Sequence, residues 1–348
     1  EAETGTRNST HDGEHMNSTQ SNAIAHVETT GIEVLSNVFY ITNSLLDESL
    51  PSTTSQESHD ALESMDWFQK GLFAYRRKRF DDAIHYFNKA YDIQPNNAQC
   101  QYYIGNCYYR KKDFISSVYH YEKAISLKPN YTEAMNNMGV TFDADSRFNQ
   151  AIEFFNKAIE INLNYANAWY NLGNTYVHNR KLDKAIDAYQ SCVKLDAFHG
   201  RAWYALGNTF QNSQHFENAI SAYKKVISLY PNHYKAMMKM GLAQYKNEDY
   251  NGAVETYNHA SSIEQKNAKP HYQLGQTFEK MNQEEKAIFA YNQAIELNEK
   301  HTKSYNCLGA ICETKNQLNK ATHFYRQAAY WGDVSAKQWG LEHGYHWI

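Results

Sequence analysis

The chain of 348 residues has little of several things, and each scarcity closes a class of protein. Its five cysteines form no C-x-x-C pair, so neither a disulfide scaffold nor a zinc ribbon is available. No stretch approaches the ~18 uninterrupted apolar residues of a membrane-spanning helix. Charge of one sign is not in excess: 34 lysines and arginines against 38 acidic residues leave a net of -4, which argues against a nucleic-acid binder. Catalytic signatures are missing as well, with no phosphate-cradling P-loop, no G-x-S-x-G elbow, no H-E-x-x-H helix and no G-x-G-x-x-G turn. His11 with His15, and His343 with His346, have spacings that suit a metal, but no third ligand is near and both pairs read as solvated surface residues. The sequence points away from an enzyme, a cofactor and a small-molecule substrate.

What is present is aromatic, and it is periodic. Aromatic residues make up 14% of the chain, 28 of them tyrosines. Eight of the sixteen glycines form one series at a spacing of 34: Gly71, Gly105, Gly139, Gly173, Gly207, Gly241, Gly275 and Gly309. With glycine at repeat position 8, position 20 is alanine in every repeat except Ser117, and position 24 is always phenylalanine or tyrosine. Position 27 is alanine in six repeats, with Cys192 and Val226 in the others. Eight ungapped repeats follow, at 64–97, 98–131, 132–165, 166–199, 200–233, 234–267, 268–301 and 302–335. Each reads as two short amphipathic helices: Trp169, Leu172, Gly173 and Tyr176 share one helical face, and Ala185, Tyr189 and Cys192 share another. A polar turn such as His178 to Lys181 separates the two, and Pro95, Pro129 and Pro231 end three second helices.

Glycine, small and aromatic residues at these spacings resemble the tetratricopeptide repeat family, with its W-x-x-L-G-x-x-Y and A-x-x-x-F pattern. Gln101 and His271 depart from it at the tryptophan position, and Glu284 at the aromatic position that opens the second helix. The resemblance implies an all-α fold: a right-handed superhelical solenoid of eight helix pairs over 64–335, closed by a half-repeat over 336–348. It also implies a non-enzymatic, protein-binding function on the concave surface lined by the first helices.

Residues 1–63 form an arm of another kind. Nine acidic residues face Arg7 alone over residues 1–57, a balance of -8, while the rest of the chain is mildly basic. Within the arm, residues 32–50 hold Ile32, Val34, Val38, Tyr40, Leu45 and Leu46, too apolar for a solvated linker, and periodicity leaves strand and helix both open. Residues 51–58 read as a Ser/Thr-rich linker. The chain opens at Glu1 rather than methionine, as expected where a leader has been removed, and Asn8, Asn17 and Asn130 sit in N-glycosylation sequons. Together these tilt the expected location towards the outside of the cell, with the cytoplasm as the alternative. All five cysteines fall at helix positions that face neighbouring helices and read as small buried hydrophobes.

Two surfaces are candidates for contact. At repeat position 2 Arg201, Lys235, Lys269 and Lys303 make a cationic ladder, and at position 5 Tyr170, Tyr204 and Tyr272 are among five rings suited to gripping an extended chain. Chaperone-binding relatives use a two-carboxylate clamp of Lys, Asn, Asn, Lys and Arg; Asn174, Lys235 and Lys239 match it, whereas Tyr170 and Ala205 do not, so the clamp is incomplete. The second surface is the pair of solenoid ends. Trp67 and Phe68 open the first repeat, and Trp339, Leu341, Tyr345, Trp347 and Ile348 close the last, where a polar cap is the usual solution. Two unlike, uncapped ends stack head to tail into an open filament. Three functions are therefore in view: a self-assembling scaffold with each arm on a neighbouring copy, an intracellular adaptor for a foreign peptide, or the regulatory part of a larger enzyme.

Overall fold

The structure, a computed structural model, describes residues 53–347. These form seventeen helices and no strand. The first unit, which ends at Leu195, holds α1 (Thr53–Arg76), α2 (Phe80–Ile93), α3 (Ala98–Arg110), α4 (Phe114–Leu127), α5 (Thr132–Ala144), α6 (Phe148–Ile161), α7 (Ala166–His178) and α8 (Leu182–Leu195). The second, from Asp196, holds α9 (Gly200–Asn212), α10 (Phe216–Leu229), α11 (Tyr234–Lys246), α12 (Tyr250–Ile263), α13 (Ala268–Lys280), α14 (Glu284–Leu297), α15 (Thr302–Thr314), α16 (Leu318–Tyr330) and α17 (Val334–Glu342). Within each unit every helix packs against its neighbours in sequence.

The 34-residue period explains this packing residue by residue. A Cβ on any glycine of the series would stand less than 3.0 Å from the ring at position 24 of the same repeat; at Gly173 it would be 2.6 Å from Tyr189. Glycine is thus required by close approach of the paired helices, not by backbone conformation. The small residues at positions 20 and 27, from Ala83 and Ala90 to Ala321 and Ala328, are at most 1% exposed. Burying a ring at every repeat, with helices drawn close around it, supplies each repeat with an apolar core without long aliphatic runs.

The turn inside each repeat is a feature the sequence conceals. Lys78, Lys112, Ser146, Arg180, Gln214, Glu248, Asn282 and Asn316 all have φ between 56° and 62°. They follow the first helix of their repeats in a Schellman arrangement: Asp113 N–H bonds to Tyr108 C=O at 2.9 Å and Lys112 N–H to Tyr109 C=O at 2.9 Å. Glycine is the usual residue for this backbone. Here none of the eight is glycine, so the carbonyls gained by the turn hold side-chain-bearing residues in the left-handed region.

Two expectations need correction. Residues 51–58 do not form a linker throughout, because α1 starts at Thr53 and runs unbroken through Ser64. No proline or glycine interrupts that span, Pro51 stands just ahead of it, and Gln56 donates to Asp60 at 2.9 Å one turn on. The ends are also not bare. Phe68 is 6% exposed, its ring 5.3 Å from that of Phe87, and Trp67 lies half-buried on Tyr86 with the ammonium groups of Lys70 and Lys89 over its face. At the other end Trp339 packs against Tyr325, at 4.4 Å, stacks with Trp347, at 5.9 Å, and donates its indole N–H to Glu313. A Cβ on Gly340 would meet the Trp347 ring at 2.6 Å, so the chain after α17 folds back onto the helix. Leu341 and Tyr345 stay exposed at 55% and 41%. The apolar arm segment (Ile32, Val34, Val38, Tyr40, Leu45, Leu46), Asn8, Asn17 and Ile348 lie outside the described residues.

Candidate partner-binding face

On a helix, positions 2, 5, 6, 9 and 13 of the repeat fall on one face. In the second unit that face of α9, α11, α13 and α15 is partly open. Lys235, Lys239, Lys269 and Lys303 are exposed, and Arg201, Tyr204 and Tyr272 are half-buried. Lys246 and Lys280, at position 13 of α11 and α13, are exposed on the same face and extend the cationic surface; aligning the repeats at that position would have found them. The ion pairs among the described residues include none of Lys239, Lys269 and Lys303. The two carboxylates nearest this face in sequence, Glu279 and Glu313, are engaged elsewhere: Glu279 accepts from the Tyr291 hydroxyl, and Glu313 from Tyr325 at 3.0 Å and Trp339 at 3.2 Å.

The aromatic positions are held from behind. Tyr204 lies 6.0 Å from Tyr223 and 5.4 Å from His233; Tyr272 lies 5.9 Å from Tyr291 and 5.1 Å from His301. Burial raises the phenol pKa of both, to about 12 for Tyr272, so they are neutral hydrogen-bonding rings. Three of the four helices start from a histidine N-cap. The imidazole Nδ1 of His199 accepts from Ala202 N–H and that of His233 from Ala236 N–H, both at 3.1 Å, while His301 accepts from Ser304 N–H at 3.3 Å. Asn267 caps the fourth, accepting from Lys269 N–H at 3.0 Å.

The corresponding face of the first unit is of another chemistry. Tyr170, expected to meet a partner, is 3% exposed with its ring 6.0 Å from Tyr189. Asn174 is half-buried and accepts from the Tyr189 hydroxyl at 2.7 Å. Around them runs a buried amide network. Tyr121 donates to Asn106 at 2.6 Å, Asn137 donates to Asn106 at 2.9 Å and to Tyr102 at 3.0 Å, Asn136 to Asn137 at 3.1 Å, and Asn171 to Asn136 at 2.9 Å. In sequence Asn136 reads only as an interruption of a ring series, because a single period does not show which amides meet. Asn130 is exposed on the turn between α4 and α5. Cys100 and Cys107 are buried, with thiol pKa values pushed up to about 12, and behave as hydrophobes rather than nucleophiles. Among the described residues no three His, Cys, Asp or Glu side chains converge to hold a metal, and no helix is long and apolar enough to cross a membrane.

Comparison with known families agrees with this geometry. Tetratricopeptide repeat models match residues 65–97, 98–131, 166–198, 200–233 and 268–301, and a TPR repeat model matches 144–179 and 241–282, together more than half of the chain. The protein belongs to the tetratricopeptide repeat family and is built as a protein-interaction scaffold. Among solved structures, the C-terminal part of a TPR repeat-containing protein from Cytophaga hutchinsonii is 17% identical with a TM-score of 0.59, covering 69% of this chain and 98% of that one. YrrB, described as a TPR protein with an unusual peptide-binding site, is 20% identical (TM-score 0.49, 54% and 96% covered), and MamA is 30% identical (0.45, 49% and 94%). The likeness to the Cytophaga hutchinsonii protein shows the fold alone. No curated protein matches the chain.

Proposed function

We propose that this protein is a non-catalytic scaffold that holds an extended acidic segment of a protein partner on the lysine-bearing face of α9, α11, α13 and α15, and that the partner is a further copy of itself. The observation that carries the reading is the exposure of Lys235, Lys269 and Lys303 at one register position on successive first helices, with Lys239 beside them. Like charges held in line cost self-repulsion unless a polyanion answers them, and half-buried Tyr204 and Tyr272 flank the ladder with rings able to grip a chain. The arm, with its balance of -8 over residues 1–57, has the complementary charge. Delivered from a neighbouring copy, it joins subunits head to tail into a filament, and the sequons favour assembly outside the cell. The experiment is sedimentation velocity across a concentration series on the full chain and on the Lys235→Glu, Lys269→Glu, Lys303→Glu variant. The wild type is expected to assemble, less so at high salt, and the variant to stay monomeric with an unchanged melting curve. A variant that assembles like the wild type removes the ladder from the contact.

One observation favours a second reading. The folded-back aromatic segment around Trp339 packs on Tyr325 of the last repeat, which suits a solenoid that stays single and takes the acidic segment of a different protein. A wild type that remains monomeric at every concentration selects this adaptor reading over the filament.

A further inference from the structure

The histidine caps of the second unit share one chemical requirement. A backbone N–H cannot accept, so Nδ1 of His199 and His233 must be without a proton; at His301 the Ser304 N–H asks the same of Nδ1 at 3.3 Å, with the Ser304 hydroxyl beside it at 2.9 Å. An imidazolium carries a proton on both nitrogens and cannot fill that role. It also places positive charge at the helix end where the backbone dipole is already positive. The first unit has no equivalent: Asn97 accepts from Gln99 N–H at 3.0 Å, and neither Tyr131 nor Tyr165 caps its helix with a side chain.

We infer that the second unit contains an acid-sensitive device, in which three neutral imidazoles order the first turns of α9, α11 and α15 and mild acid removes all three caps together. Arg201, Lys235 and Lys303 each stand two residues after a cap, inside the turn it orders, so the ladder's geometry is coupled to the same protons. His301 faces the Tyr272 ring, has Lys303 on its own helix, and shares a hollow with Lys266, Lys269 and a single carboxylate, Glu264. His233 faces Tyr204 at 5.4 Å and Tyr230 at 6.4 Å, with Lys235 on its own helix. His199 lies between Asp196, whose carbonyl accepts from the His199 N–H, and Arg201, with the Tyr230 ring against Gly200 beside it. Burial and then Lys303 lower the pKa of His301.

The sign follows from linkage. A histidine whose folded pKa lies below its ordinary value of ~6.5 binds more protons unfolded, so its contribution is complete above that pH and lost as pH falls through it. The inference stands whether or not the ladder takes an acidic segment. Its test uses the full chain with His199, His233 and His301 all changed to asparagine, the residue that caps the same repeat position at Asn97 and Asn267 in this chain. Between pH 7.5 and 5.5 the wild type should lose roughly 2–4 °C or more in melting temperature beyond any loss in the variant. Amide exchange at Ala202, Ala236 and Ser304 should speed up on the order of fivefold relative to the variant at pH 5.5. Identical pH dependence in the two proteins overturns the device. If the variant does not fold, NMR titration of the His301 imidazole in the wild type decides: a midpoint below 6.5 supports the device, and a midpoint at or above 6.5 overturns it.

Discussion

Tyr121 in the first unit and Tyr291 in the second occupy the same place in the repeat, and both rings are fully buried. Their hydroxyls end on different chemistry. Tyr121 donates to Asn106, inside a chain of neutral amides, whereas Tyr291 donates to the carboxylate of Glu279. Tyr189 and Tyr223 choose the position-9 amides Asn174 and Asn208, and Tyr325 chooses Glu313. Where position 24 is phenylalanine, at Phe87 and Phe155, position 9 is apolar, Leu72 and Val140. The helix frame thus demands only a flat ring; the polar group attached to it is matched locally, repeat by repeat. The first unit holds a buried amide network, whereas the second bears a row of exposed lysines.

The contrast between the units is most exposed to failure at Asn137. Asn137→Ala strips a donor from Tyr102 and Asn106 and an acceptor from Asn136, and should cost about 1–3 kcal/mol for each buried group left unpaired. Lys239, at the same repeat position in the second unit, should tolerate alanine within roughly 0.5 kcal/mol. Urea unfolding of both variants checks this, and similar losses would erase the distinction between the units. A smaller effect sharpens the pairing rule. Tyr189→Phe should cost about 1 kcal/mol, and adding Asn174→Val should recover most of it, since repeat three already combines Val140 with Phe155. A double-mutant cycle with no coupling would mean that positions 9 and 24 vary independently.

The smallest expected effect concerns acid. His178 on α7 is bonded to the Asp143 carboxylate at 3.0 Å, and that bond raises its pKa against the opposing effect of burial. A raised pKa stabilises the folded chain fully below the ordinary histidine value and ceases to do so as pH rises through the folded one. This is opposite in sense to the cap at His301. In an NMR titration the His178 midpoint should fall in Asp143→Asn; an unmoved midpoint would show that the pair does not hold the proton.

Much of this is legible in the sequence because a repeat states each packing rule eight times. The pairing of glycine with its ring, and the two small positions, follow from spacing and residue type alone. The left-handed turn does not, since Lys112 or Glu248 carries no mark of a positive φ. Asn136 and Asn171 are 35 residues apart, one more than the period, so their bond joins unlike repeat positions that no alignment of like with like reveals. The charge of the ladder is visible in the residue order, but the buried state of Tyr170 is not, because position 5 is open in one repeat and closed in another. Similarly, Trp339 and Trp347 read as uncovered surface in sequence, yet they stack on each other and Trp339 packs against Tyr325.

By itself, then, the sequence determined the period, the helix pairs, the small and aromatic positions that let them close, and membership in a scaffold family. Those follow from short-range spacing and excluded volume, which are written in residue type and recur in every copy. The tertiary structure decided which amides bond, which histidine nitrogen is a cap and which end folds back on itself. Each of those depends on a meeting of side chains from different helices, and a hydrogen bond a few tenths of an ångström too long, or a ring turned the other way, leaves no trace in the order of residues.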